Sequence, residues 1–167
     1  MSAPDYFQFF GTEPKLSLDL ADLEQRFYRL SRELHPDRFT RAAPAERERS
    51  LEASAILNDA YRTLRDPIAR AEYVLKRLGL EADSKQVPPE LLEEVFALNE
   101  ALEEGNAGQL EAGRARFQAL RAQADAELQD LFAKFDAGDS AAARQIRAVL
   151  NKRRYISNLL ETAAAHV

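Results

Sequence analysis

Apolar positions recur at spacings of three and four along most of the chain, the period of helices with one buried face, and no useful stretch alternates as a strand would. The expected fold is all-α. Asp5-Tyr6-Phe7-Gln8-Phe9-Phe10, closed by Gly11, suffices for one or two helical turns packed on a core. Asp19 suits the N-cap of the next helix, in which Leu20, Leu23, Phe27, Leu30 and Leu34 form one apolar stripe. Pro36 lacks an N–H and drives the residue before it out of the α region, so this helix stops near Leu34. After a loop from Pro36 to Pro44, a second long helix is expected over 45–65, with Ile56, Leu57, Ala60, Tyr61 and Leu64 facing inward. Asp66-Pro67 ends it and starts another, with Asp66 as N-cap and Pro67 in the first helical position. That helix runs through Ala71, Val74, Leu75 and Leu78 to Gly79.

Residues 80–87 lack this period, and Pro88-Pro89 marks a boundary at which a new helix begins on the second proline. The expected domains are 1–79 and 89–167, joined by a linker. Three helices are expected beyond it, over 89–104, 109–135 and 140–164, punctuated by Gly105 and Gly138. Phe117, Leu120, Ala124, Leu128, Leu131 and Phe135 line the middle one, and Ile146, Val149, Leu150, Ile156 and Leu160 the last. With turns this short, an antiparallel three-helix bundle is the economical arrangement.

The helix from Pro89 carries more apolar residues than one stripe uses. Leu91, Val95, Leu98 and Leu102 form a tight core-facing row, whereas Leu92 and Phe96 lie roughly 100 to 140° from its start. Glu100 and Glu104 continue the same side, so a hydrophobic spot flanked by acids is expected there unless a wide core absorbs Leu92 and Phe96.

Composition narrows the chemistry. The 167 residues, 46% hydrophobic and 31% charged, are enough for one domain or two small ones with an ordinary core. No apolar run approaches the roughly 18 to 20 residues that span a bilayer, and no secretory signal pattern opens the chain, so the expected location is the cytoplasm. Zero cysteine removes disulfides, thiolate nucleophiles and the usual zinc or iron–sulfur ligands. The two histidines stand far apart in sequence, so neither a metal nor another cofactor is expected, and any metal involved is carried by a partner. A formal charge of −5 argues against nucleic acid as a partner. The charge is uneven: residues 1–78 hold 13 Lys and Arg against 13 Asp and Glu, whereas 79–167 hold 10 against 15. Within 81–111 there are nine acids and only Lys85, a stretch suited to a basic partner or simply to solvation.

Two features remain for function. His35-Pro36-Asp37 interrupts two helices and should expose one imidazole and one carboxylate on a loop. Arg26, Arg29 and Arg32, each three residues apart, fall within about 120° of one another on the preceding helix, and Arg38 follows the tripeptide. Such a loop beside a cationic face suits protein contact better than chemistry on a small molecule. No nucleophile–base arrangement is evident, so an enzyme is not expected; His166 sits in an Ala-rich tail expected to be mobile.

A helix ending in His-Pro-Asp, followed by an antiparallel helix with Ala60-Tyr61-Arg62-Thr63-Leu64 before Asp66-Pro67, resembles a J-domain. Asp5-Tyr6-Phe7, His35-Pro36-Asp37-Arg38-Phe39, Arg70-Ala71-Glu72-Tyr73 after Asp66-Pro67, and the acidic helical C-terminal half resemble the HscB family, J-type co-chaperones of iron–sulfur cluster assembly. The resemblance covers nearly the whole chain, which lacks the Gly/Phe-rich segment and zinc-binding cysteine repeats of general J-domain proteins. It implies an L-shaped pair of domains: a J-domain helical hairpin with flanking short helices, and a C-terminal three-helix bundle. It also implies a monomer that docks on a DnaK-type chaperone of the HscA kind and stimulates its ATPase. His35, Pro36 and Asp37 match the stimulating motif, and Arg26, Arg29, Arg32 and Arg38 its cationic surroundings. The bundle would hold the cluster scaffold protein IscU through Leu92, Phe96, Ala97, Glu100 and Glu104, with Val149 from the last helix. The alternative is a general J-domain protein that handles unfolded clients.

Overall fold

A computed structural model describes residues 3–82 and 86–165; the expected linker lies partly, and His166 wholly, outside these described residues. Within them the regular structure is helical throughout: α1 (Tyr6–Phe10), α2 (Leu20–Leu34), α3 (Pro44–Arg65), α4 (Pro67–Arg77), α5 (Leu92–Glu104), α6 (Ala107–Asp136) and α7 (Ala142–Ala164). Single 3-10 turns occupy Pro36–Phe39 and Pro89–Leu91. The chain divides into two compact units, one ending at Val74 and the other starting at Leu75, with the division inside α4.

Aspartate side chains cap three helices, at the expected positions Asp19 and Asp66 and also at Asp5. Asp5 Oδ1 accepts the N–H groups of Phe7 and Gln8, Asp19 Oδ1 those of Ala21 and Asp22, and Asp66 Oδ1 that of Ile68. Gly79 adopts φ 78° after α4, and Leu80 N–H reaches back to Leu75 O at 2.9 Å, a turn that strains any residue with a Cβ. Three helix starts differ from expectation, each because of a local hydrogen bond. Leu91 N–H bonds Pro88 O at 2.9 Å, so the prolines open a 3-10 turn and α5 begins only at Leu92. Asn106 Oδ1 accepts Gln109 N–H, drawing the start of α6 back to Ala107. Asp139 holds a turn by accepting Ala141 N–H on its side chain, which delays α7 to Ala142.

In the first unit, α2 and α3 run antiparallel around a core of Phe7, Phe10, Leu23, Leu57, Ala60 and Leu64. Phe27 stacks on Tyr61 across the pair at 4.1 Å between ring centroids, and α1 closes one end through Tyr6 stacked on Tyr73 at 4.7 Å. Arg70, almost wholly buried, donates to Leu16 O at 2.8 Å and Leu64 O at 2.6 Å, satisfying two carbonyls that water cannot reach. Leu20 does not join the stripe expected of it: it is 49% exposed, at the first position of α2 and bordering an open groove with Tyr61, Arg65 and Pro67. Leu78 is likewise 54% exposed, because α4 has already ended at Arg77.

In the second unit, α6 and α7 form a long antiparallel hairpin and the shorter α5 covers part of it. Leu91, Val95, Leu98, Phe117 and Ile156 make the shared cluster, with Leu120, Tyr155, Leu159 and Leu160 around it. Phe132, which the periodicity did not place inward, is buried; Leu131 and Phe135 beside it are only half-buried. Gly113 allows α5 and α6 to approach closely, since a Cβ there would stand 3.2 Å from Leu98 Cδ1.

Replacing Arg70 by Met leaves two buried carbonyls without donors. Urea unfolding of Arg70→Met should show the first unit less stable by about 3 kcal/mol; a loss below about 1 kcal/mol would mean that water replaces the guanidinium.

Candidate functional site

The tripeptide is built by a chain break in helical geometry. His35 leaves the α region with φ −59° and ψ 132°, as the residue before a proline must, and Pro36–Phe39 winds on as a 3-10 turn. His35 Nδ1 accepts the N–H of Asp37 at 3.2 Å. A ring nitrogen that accepts is unprotonated, so in the neutral imidazole the proton sits on Nε2, available to a partner because the side chain is exposed. The Asp37 carboxylate, also exposed, has Oδ2 3.6 Å from Nδ1 and pairs with the ring when the ring is protonated. Arg38 N–H closes the turn on His35 O at 3.0 Å.

The arginines separate into two kinds. Arg26 belongs to the fold: Nε donates to Asp22 Oδ2 at 2.8 Å, and Nη1 to Phe10 O and Gly11 O at 3.1 and 3.0 Å. It ties the end of α1 to α2, so the cationic strip expected from Arg26, Arg29 and Arg32 loses its first member to structure. Arg29, Arg32 and Arg38 are exposed, and none of the three has a bound acid among the described residues. Tyr28, which the stripe pattern left unassigned, is exposed one turn before Arg32 and thus on the same side of α2. Its signal was legible as a large aromatic outside the apolar stripe.

The inner end of the tripeptide is held by residues the sequence reading passed over. Leu34 O, the last helical carbonyl before His35, accepts Ser50 Oγ–H at 2.8 Å and Ser54 Oγ–H at 3.0 Å from α3. The available signal was two small polar residues one turn apart, continuing the apolar stripe of Leu57, Tyr61 and Leu64.

On α5 the doubled apolar pattern resolves into two faces. Leu91, Val95 and Leu98 are buried, while Leu92 is 43% and Phe96 70% exposed. Leu92, Phe96, Glu100 and Glu104 stand four residues apart in one row along the open side, with Ala97 exposed beside Phe96. A groove of about 340 Å³ borders this row between α5 and α6, lined among others by Ala97, Leu98, Glu100, Gly113 and Phe117. Glu94 and Arg116 pair across it at 3.4 Å. Val149, on α7, is 9% exposed, far less than Leu92 and Phe96.

Among the described residues no group of three or more metal-ligating side chains is gathered, and no helix is long and apolar enough to cross a membrane.

A family model described as the HSCB C-terminal oligomerisation domain matches residues 87–164, the span of α5 to α7. The co-chaperone protein HscB homolog of Neisseria gonorrhoeae is 35% identical over 149 residues, covering 85% of this chain and 89% of the relative. The chain belongs to the HscB co-chaperone family. An HscB homolog of Neisseria meningitidis is 40% identical over 106 residues, which span 62% of this chain and 64% of that relative. The HscB of Vibrio cholerae has a similar fold, with a TM-score of 0.70, 29% identity, and coverage of 97% of this chain and 96% of that one. These HscB relatives are named as chaperones or co-chaperones, and co-chaperones are not enzymes.

The two faces of α5 differ energetically. Leu98→Ala should cost about 2 to 5 kcal/mol, and Leu92→Ala with Phe96→Ala less than about 1 kcal/mol in total. Equal losses in thermal or urea unfolding would return Leu92 and Phe96 to the core.

Proposed function

We propose that the chain is a two-ended co-chaperone of iron–sulfur cluster assembly, which binds the scaffold protein IscU and delivers it to a DnaK-type chaperone of the HscA kind while stimulating its ATPase. Residues 1–79 trigger the chaperone, 80–88 link, and 89–167 hold the scaffold. The protein acts as a monomer in the cytoplasm, with no cofactor of its own.

The observation that carries the reading is the pair of uncovered surfaces in an HscB-family chain. Phe96 and Leu92 spend apolar area in solvent, the mark of an interaction anchor, and acids rim them. At the other surface, Nε2–H of His35, the Asp37 carboxylate and the unpaired guanidinium groups of Arg29, Arg32 and Arg38 provide charge-assisted hydrogen bonds and electrostatic steering. Chemistry stays with the chaperone. Because one chain carries both surfaces, binding at one raises the effective concentration of the second partner at the other.

The test is a chaperone ATPase assay with IscU, run beside a direct scaffold-binding measurement. His35→Gln should abolish stimulation and leave scaffold affinity within about twofold. Leu92→Ala with Phe96→Ala should weaken scaffold binding about 30-fold, the loss of roughly 2 kcal/mol expected of an anchor pair. Parallel loss of both activities in either variant sinks the two-surface reading.

A further inference from the structure

Leu34 O faces an unusual demand. In a continuing helix it would accept the N–H of Arg38, but Pro36 diverts the chain and Arg38 N–H goes to His35 O instead. Helical serines commonly return the hydroxyl to a carbonyl one turn back along their own helix. Ser50 and Ser54 instead both donate across to Leu34 O, at 2.8 and 3.0 Å, using the two lone pairs of a single carbonyl. Ser50 is only 4% exposed, so its hydroxyl was removed from water to make this bond.

The consequence follows from peptide planarity. The Leu34 carbonyl, the His35 nitrogen and the His35 Cα share one rigid plane, so fixing the oxygen fixes the direction in which the chain leaves the helix. Beyond that plane the tripeptide holds itself through Asp37 N–H to His35 Nδ1 and Arg38 N–H to His35 O. Both of these bonds join residues no more than three apart and open readily unless the turn is anchored, and among these bonds only those of the two serines anchor it to α3.

We infer that Ser50 and Ser54 are positioning residues, a two-hydroxyl clamp that aims His35 and Asp37 at the chaperone. The inference rests on the proposed function for what the clamp serves, but not for its existence. It predicts a division of effect: the exposed arginines still hold the partner, while the imidazole and carboxylate arrive misaligned. Maximal stimulation therefore suffers and half-saturation does not.

The experiment compares the full chain with Ser50→Ala/Ser54→Ala, Ser54→Ala and Ser54→Thr, using amide hydrogen exchange and chaperone ATPase titrations. In the double variant the Asp37 and Arg38 amides should exchange about tenfold faster while amides of α2 and α3 around Phe27 and Tyr61 stay protected. Maximal stimulation should fall about fivefold with the half-saturating concentration changed less than twofold. Ser54→Ala should fall between the double variant and the unsubstituted protein, and Ser54→Thr, which keeps the hydroxyl, should match the latter. Unchanged exchange at Asp37 and Arg38, a uniform rise across residues 3–74, or a defect in Ser54→Thr equal to that of Ser54→Ala would each overturn the clamp. Local exchange as expected in a protein that gives no ATPase stimulation would uphold the clamp and refute the proposed function instead.

Discussion

The restriction that Pro36 places on His35 governs the first unit. A proline at that position disfavours continuation of α2, removes one donor and pushes the residue before it out of the α region, here to ψ 132°. The chain must then reverse, and α3 returns along α2 with its apolar stripe facing back, which is why Phe27 meets Tyr61 and Leu57 joins Leu23 in one core. The same break strands the Leu34 carbonyl at the point where α3 passes, and the hydroxyls of Ser50 and Ser54 answer it. One residue thus sets the topology, the exposure of the tripeptide and the need for a polar pair inside an apolar stripe.

Periodicity and punctuation made most of this legible. The helices, the caps at Asp19 and Asp66 and the left-handed turn at Gly79 follow from residues within five positions of one another, and such local rules transfer from sequence to structure. What failed was non-local. Arg26 and Arg29 share one face of a helical wheel, yet it is Arg26 that lies beside the carbonyls that α1 leaves at Phe10 and Gly11. Leu20 satisfies the spacing of its stripe, but at the first position of α2 it meets an open groove. Ser50 and Ser54 went unnoticed because their partner belongs to a different helix and exists only after the chain reverses.

The second unit follows from the number of apolar residues on α5. A helix covering one side of a hairpin buries a limited arc, and Leu91, Val95 and Leu98 fill it. Leu92 and Phe96, roughly 100 to 140° away, therefore face outward whatever their hydrophobicity. Folding does not require a phenylalanine at a position 70% exposed, whereas an anchor residue would be expected there. Val149 shows the converse: apolar like Phe96, it is only 9% exposed on α7.

Charge then separates the two surfaces chemically. Around the tripeptide the exposed cations Arg29, Arg32 and Arg38 outnumber the exposed acids Glu33 and Asp37, so an acidic face is favoured over a basic one. Along α5 the open row runs from apolar Leu92 and Phe96 into Glu100 and Glu104, within a stretch of nine acids and one lysine. That row reverses the preference. Like-charge juxtaposition at a docking face is costly and slows encounter, so each surface disfavours the partner suited to the other. Under the proposed function, in which one chain holds two proteins at once, this sorting matters more than tighter binding at either end, because a partner seated on the wrong surface would block the proposed transfer.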